Sequence, residues 1–281
     1  MDKARIAVTG ARGLLGATLM RTLVDPVALS ADIRDSRAVE EEFASLGNIS
    51  HVVHTAAKTD VAACERDPAD AHLVNAIGTK NIVDAAKTCG AHMLYISTVS
   101  VFSGDKGNYR EADIPQPINI HNKTKVEGEH EVREYEKGIV LRLNLIGIHT
   151  DGSRGKNFME WLVDSLRAGK DINAFQDVMI NPFSNWTVAD YIQKIITQEP
   201  RERILHIASS DVCSKADIAE IAAARFPEYK GTLRRTSVDT IADGVRRPKE
   251  MWLNCDYTKS ILEVMMPSIA AEIDTIFRHI S

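Results

Sequence analysis

A short apolar strand, Ile6-Ala7-Val8, runs directly into the turn Thr9-Gly10-Ala11-Arg12-Gly13-Leu14-Leu15-Gly16, and a helical stretch over Ala17 to Leu23 follows before Pro26 ends it. This order constrains the chain more than any other feature. Glycine lets the backbone approach a ligand closely, and a helix N-terminus offers unpaired N–H groups with a partial positive charge. Together they suit a pyrophosphate. The spacing is Gly-x-x-Gly-x-x-Gly, and strand–turn–helix is the context that dinucleotide binding requires. The turn therefore predicts NAD or NADP, with Gly10, Arg12, Gly13, Leu14, Leu15 and Gly16 around the phosphates. The competing reading is a tight strand-to-helix turn with no ligand.

Strand and helix signals alternate onward. Val27-Ala28-Leu29, His51 to Thr55, Met93 to Ser97 and Ile139 to Leu143 read as strands. Ser36 to Leu46 (Ser36 as N-cap), Asp70 to Thr88 (one long amphipathic helix) and Thr124 to Tyr135 read as helices. Short apolar strands separated by helices predict an α/β chain with a parallel sheet and right-handed crossovers. The pattern loosens after Gly147. Thr150 to Lys156 reads as a loop, Phe158 to Leu166 as a helix and Asp177 to Trp186 as irregular. Thr187 to Thr197 and Lys215 to Ala224 read as helices, Ile204 to Ala208 as a strand, Arg246 to Tyr257 as aperiodic and Pro267 to His279 as a last helix. The expected division is a dinucleotide-binding domain over 1–150 and a smaller substrate lobe over 151–281, with 187–209 returning to the sheet.

Composition excludes several classes. The 281 residues carry a net charge of −5, and Arg246-Arg247-Pro248-Lys249 is too short a basic run for a nucleic-acid face. Cys64, Cys89, Cys213 and Cys255 show no Cys-x-x-Cys spacing, so no zinc or redox motif is expected and a reducing cytoplasm suits them. No apolar stretch reaches the roughly 18 residues of a membrane span, and the charged start Asp2, Lys3, Arg5 is unlike a signal peptide. His51 and His54, three apart on a strand, face opposite ways and cannot share a metal.

Four further segments carry a resemblance. They are His54-Thr55-Ala56-Ala57-Lys58; Val74-Asn75-Ala76-Ile77-Gly78-Thr79; Ser97-Thr98-Val99-Ser100-Val101-Phe102-Ser103-Gly104; and Asn119 to Glu129. In this order, and with Lys156-Asn157-Phe158 and the Arg246 run, the chain resembles the extended short-chain dehydrogenase/reductases, most of all the dTDP-4-dehydrorhamnose reductases. The resemblance implies a Rossmann-like doubly wound fold, a nicotinamide cofactor and a nucleotide-sugar substrate, and it allows a homodimer. It implies that Asp32 and Ile33 contact adenine, that Ala56, Ala57, Lys58 and Asn75 run along the cofactor, that Thr98 binds the reacting carbonyl and that Lys125 holds the nicotinamide ribose. Tyr109 matches a loop tyrosine of the same subgroup.

The departure is His121. Where the family has Tyr-x-x-x-Lys, this chain has His121-Asn122-Lys123-Thr124-Lys125, and Val99-Ser100 stands where the subgroup has Asp-Tyr. A tyrosine near pKa ~10 needs the lysine to bring it toward working pH, whereas a histidine near ~6.5 does not. Lys125 would favour neutral imidazole, and the shorter ring would need the carbonyl closer or a bridging water. His121 is then the proton donor of a ketoreductase, or it is a packing residue in a cofactor-binding regulatory or partner-binding protein. Epimerases and dehydratases of the fold also use the tyrosine, so the histidine weighs against them equally. Asp32 falls slightly late for a ribose-binding acid, and Arg12 could meet a 2′-phosphate, which tilts the choice toward NADP. Phe102, Asn157, Arg246 and Arg247 are the candidate substrate contacts, the arginines for a diphosphate.

Overall fold

The computed structural model describes residues 5–149, 157–241 and 247–280. Six parallel strands form the central sheet: β1 (Arg5–Thr9), β2 (Pro26–Leu29), β3 (Ile49–His54), β4 (His92–Thr98), β5 (Gly138–Leu143) and β6 (Ile204–Ile207). Their order is β6-β5-β4-β3-β1-β2. The fold is therefore the expected Rossmann-like α/β arrangement. The chain leaves β1 toward one edge to make β2, then returns past β1 to place β3 on its other side. The loops after β1 and β3 diverge there and open a crevice at the carboxyl ends of the strands, where such sheets bind ligands.

The helices follow from the periodicities. Those flanking the sheet are α1 (Leu14–Thr22), α2 (Ser36–Leu46), α3 (Gly78–Cys89), α4 (Ile120–Arg133) and, after α5 (Phe158–Arg167), which packs on the helix Lys215–Ala223, α6 (Asn185–Gln198). Helices α1 and α6 pack on each other over one face, while α2, α3 and α4 line up over the other. Each face closes over its own apolar core. Val8, Leu19, Leu141, Ile192 and Leu205 lie in one; Ala7, Val52, Ile82, Met93 and Val140 lie in the other. Along β1 and β5, neighbouring residues enter opposite cores, as strand geometry requires.

Several elements differ from the sequence reading. Asp35, not Ser36, caps α2, its side chain accepting from the Ala38 amide at 3.1 Å. A helix at Val61–Arg66 went unforeseen. The stretch from Asp70 to Thr88 is not one regular helix: Pro68–His72 is α-helical, Leu73–Ile77 forms a π turn, and α3 follows. Asp177 to Trp186 contains two short strands, Met179–Ile180 and Phe183–Ser184, before α6 begins at Asn185. Ile172–Phe175 pairs in parallel with Leu233–Thr236 outside the main sheet, and Arg246 to Tyr257 holds a strand at Glu250–Met251. The predicted loop at 150–156 lies outside the described residues. No described helix is long and apolar enough to cross a membrane.

Candidate active site

A cleft of about 1000 Å³ opens at the crevice between the β1 and β3 loops. Its floor is the glycine turn. Gly10 takes φ +61°, and a Cβ there would lie 2.8 Å from the Ala56 amide nitrogen. Gly16 sits in the first turn of α1 with its Cα over Gly10; a Cβ would fall 2.1 Å from the Gly10 carbonyl oxygen. These two glycines hold helix against turn, and Gly13 at the N-cap leaves the mouth open. Gly13 offers no side-chain cap, so the first-turn amides of α1 have no side-chain acceptor. Gly13, Leu14, Leu15, Gly16 and Ala57 line the cleft. A helix start with no side-chain cap, over a cradle that side chains would fill, fits a dinucleotide pyrophosphate. Arg12 is exposed on the turn.

Thr98, His121 and Lys125 line the same cleft. Thr98 ends β4; its Oγ1 accepts from the Ser100 amide at 3.1 Å, so its proton is available to an oxygen in the cleft. His121 and Lys125 sit on α4, which starts at Ile120 rather than Thr124 and so carries both on one turn-spaced face. Asn119 caps that helix, accepting from the Asn122 amide at 2.9 Å. The Lys125 Nζ donates to the Ile96 carbonyl at 2.8 Å and lies 4.0 Å from the centre of the Tyr95 ring. Burial pushes this ammonium down to about 7, against the pull of Glu129. Burial also lowers the His121 imidazole below its ordinary range, with Lys125 adding to it, although a hydrogen bond to Asn122 opposes. That bond joins Nδ1 to the Asn122 Oδ1 at 3.0 Å, so Nδ1 carries the proton and Nε2 keeps a lone pair. Asn122 thus sets which nitrogen of His121 is protonated, a role the sequence did not suggest.

The remaining predicted residues divide. Asn75 is fully buried and does not line the cleft. Its Oδ1 accepts from the Lys58 amide at 2.8 Å, and its Nδ2 donates to the Lys58 carbonyl and the Thr124 hydroxyl at 3.1 and 3.0 Å. With its polar atoms engaged, it is a positioning residue that ties the β3 loop to α4. Ile33 is buried, its side chain seated against Gly78, where a Cβ would come within 2.7 Å. Asp32 is gripped by Arg34 at 2.6 Å; the same guanidinium reaches Asp70 at 3.0 Å, and Asp70 holds Lys58 at 2.6 Å. The hydrogen bonds from Arg34 pull the Asp32 carboxyl down to about 2. Phe102 corrects the substrate assignment: it is 1% exposed, stacks on Tyr109 at 4.2 Å and belongs to the core, so no sugar can reach its face. Asn157 does line the cleft. It caps α5 with Glu160 in a reciprocal pair, and its buried Nδ2 has no partner among the described residues. Arg247 lines a separate cavity of about 630 Å³ beside Gly104 and Asp239, and Arg246 lies outside the described residues.

Sequence reasoning missed His149. It lines the cleft, with Nδ1 2.7 Å from the Glu160 carboxylate, and both side chains are largely buried. A carboxylate behind an imidazole fixes the ring's orientation. Behind the cleft, Glu129 forms a buried two-pronged pair with Arg142 at 2.6 and 2.9 Å and accepts from Ser97 at 2.5 Å, locking α4 to β4 and β5.

Comparison with known proteins agrees with this geometry. The model of the RmlD substrate binding domain matches residues 4–281. The chain is 31% identical over 225 residues to the spore coat polysaccharide biosynthesis protein SpsK of Bacillus subtilis, covering 76% of this chain and 77% of that one. It is 30% identical over 225 residues to a dTDP-4-dehydrorhamnose reductase of Mycobacterium tuberculosis, covering 75% and 72%. The crystal structure of a dTDP-4-dehydrorhamnose reductase from Bacillus anthracis in complex with NADP superposes with a TM-score of 0.90 at 26% identity, covering 98% and 99%.

Proposed function

The chain belongs to the RmlD substrate-binding-domain family, and on that premise we propose that it is an NAD(P)-dependent reductase of a keto group on a nucleotide-activated sugar, similar to the dTDP-4-dehydrorhamnose reductases. One observation carries the reading: Thr98, His121 and Lys125 converge on the cleft floored by the glycine turn. The nicotinamide, when bound, supplies the hydride. Thr98 donates its hydroxyl proton to the carbonyl oxygen and holds it in place. Lys125 places a cation where the nicotinamide ribose would lie. His121, which lines the cleft, takes a proton from solvent onto Nε2 and passes it to the oxygen as charge develops there. Asn157, on the cleft wall, is the candidate contact for the sugar. Consumption of reduced nicotinamide with dTDP- and UDP-linked 4-keto sugars tests the reading. Tight cofactor binding with no turnover on any of them would instead favour a cofactor-binding regulatory protein.

The proton donor sets the pH profile. Because the His121 imidazole is held below its ordinary range, the charged form that can donate is scarce at neutral pH. Reduction by the native chain should therefore fall as pH rises through 6 to 8. His121→Tyr should keep or raise turnover and carry it to more alkaline pH, since a phenol retains its proton there. Rate profiles over pH 5.5 to 9 measure both. An inactive tyrosine variant beside an active parent would mean that the proton does not come from position 121.

Both NAD and NADP suit the site, and Arg34 favours NADP. It neutralises Asp32, the residue that would otherwise repel a 2′-phosphate, and its guanidinium can turn to the phosphate itself. Arg34→Ala is expected to weaken NADPH binding by about tenfold while leaving NADH within a factor of about three. Fluorescence titration of both cofactors reads this directly; equal losses would assign the 2′ end to Arg12.

A further inference from the structure

Away from the cofactor cleft, the amino-terminal halves of β3 and β4 carry a pair of histidines that the register places side by side: His51 pairs directly with His92. Their rings stack at 5.2 Å with planes 27° apart, so both present their Nε2 atoms the same way. The side chain of Glu199, at the end of α6, meets them there. His51 Nε2 lies 3.3 Å from Glu199 Oε1 and His92 Nε2 lies 3.9 Å from Oε2. One ligand atom from each residue falls within 4.8 Å of the other two. Between these groups and the apolar side chains of Val52, Leu94 and Ile195 lies a void of about 10 Å³, the space of a single small sphere.

Hydrogen bonding defines the state of His51. Its Nδ1 lies 3.0 Å from Ser50 Oγ, and that hydroxyl donates onward to the Arg5 carbonyl at 3.3 Å. With Ser50 as the acceptor for Nδ1–H, the neutral ring keeps a lone pair on Nε2. Nε2 is buried and makes no aligned hydrogen bond, despite its closeness to the carboxylate. A lone pair facing a carboxylate oxygen at 3.3 Å calls for a cation between them, either a proton on the ring or a metal ion. The backbone supports the arrangement at a cost. Glu199 takes φ +45°, ψ +58°, a left-handed conformation that favours glycine, and in that conformation its side chain meets the two rings.

We propose that His51, His92 and Glu199 form a binding site for one divalent transition-metal ion of the zinc class. Two imidazole nitrogens and one carboxylate oxygen, with water in the fourth position, are a regular zinc donor set. With metal–ligand bonds of about 2.0–2.1 Å, tetrahedral ligands lie roughly 3.4 Å apart, close to the separation of His51 from Glu199. Ser50 plays the outer role of fixing the ring tautomer. Nitrogen donors select zinc, nickel or copper over magnesium and calcium. The ion would clip β3 and β4 to the end of α6, joining segments almost 150 residues apart in sequence, at the opposite end of the sheet from the catalytic cleft.

The test uses the full chain, stripped with a chelator and titrated with zinc chloride and cobalt(II) chloride. One zinc per chain should bind, the thermal midpoint should rise by several degrees through mass action, and cobalt should give the intense visible absorption of a four-coordinate ion. His92→Gln and Glu199→Gln, both at partly exposed positions, should lose the binding, the cobalt spectrum and the thermal shift together, while NADPH binding stays unchanged. His72→Gln, at a surface His72–Glu127 pair, should lose none of them. Failure of the native chain to bind zinc would overturn the proposal. Retention of the cobalt spectrum in both site variants would do the same, by moving the metal to other ligands such as the cysteines. Because the readouts are metal binding and melting, they stand or fall separately from the reductase reading.

Discussion

Replacing Gly16 by valine should abolish measurable NADPH and NADH binding, a loss of at least two orders of magnitude, without unfolding the sheet. Even the Cβ of alanine would lie 2.1 Å from the Gly10 carbonyl oxygen and 2.9 Å from the Ala11 Cα. Both obstacles are backbone atoms, so no rotamer change can relieve them. The helix must move away from the turn, and the first-turn amides of α1 move with it, off the position where a pyrophosphate would accept from them. Displacement of about 1 Å is enough to break such bonds. The rest of α1 is anchored independently: Leu15 and Leu19 are buried in the core, and the helix packs along α6. Circular dichroism and a melting curve should therefore show a folded protein, with a midpoint lowered by several degrees, while cofactor titration is flat. Gly13→Ala is the graded companion. Its Cβ would meet the same carbonyl at a looser 3.2 Å, and affinity should fall by about tenfold. A Gly16→Val protein that binds NADPH normally would place the cofactor somewhere other than this turn.

That the turn could be read from sequence has a physical basis. Glycine positions are dictated by local backbone contacts within a few residues, and a strand–turn–helix context is visible as a change of period. The same holds for the strands, whose apolar runs reflect burial on both faces. What could not be read depends on distant partners. Asn75 looked like a cofactor contact because nothing local shows that its amide bonds to Lys58 and to Thr124, 49 residues away. Phe102 is apolar, and an apolar ring reads alike whether it stacks on a sugar or on Tyr109; only the burial decides. Asp35 and Ser36 are both good caps, and which one sits at the N-cap is settled by where the chain leaves the turn at Asp32. The π turn over Leu73–Ile77 leaves no residue signature of its own. The rule that separates His51 from His54 compares residues along one strand, whereas the partner of His51 is His92 across the register. His149 was missed for a similar reason: its carboxylate comes from α5, beyond a segment with no periodicity to place it.

Lys125→Met should make the protein more stable and nearly inactive, two effects of opposite sign from one buried charge. The ammonium is 4% exposed, and it is held by the Ile96 carbonyl and the face of Tyr95. Desolvation lowers it from 10.5 to about 7, so the folded chain holds this proton far less tightly than the unfolded chain does. At pH 6 both states are charged, and the folded state bears the full penalty, on the order of 3–5 kcal/mol at about 1.4 kcal/mol per unit. Between pH 7 and about 10 the unfolded chain binds the extra proton, so the stability of the native protein rises with pH across that window. Methionine fills nearly the same volume without the charge. The variant should melt well above the parent at pH 6, and the gap should shrink steadily toward pH 10, where the parent lysine is neutral when folded. Activity should move the other way. Without Lys125 the ribose loses its cationic partner, and the depression of the His121 imidazole is partly relieved, because one of its causes is this charge. Turnover on a keto sugar should drop by roughly a hundredfold or more, with the remaining rate less sensitive to alkaline pH. Melting curves and rate profiles on the same preparations decide the matter. A variant less stable than the parent at pH 6 would mean that the ammonium is stabilised where it lies, and one with near-native turnover would remove Lys125 from the reaction.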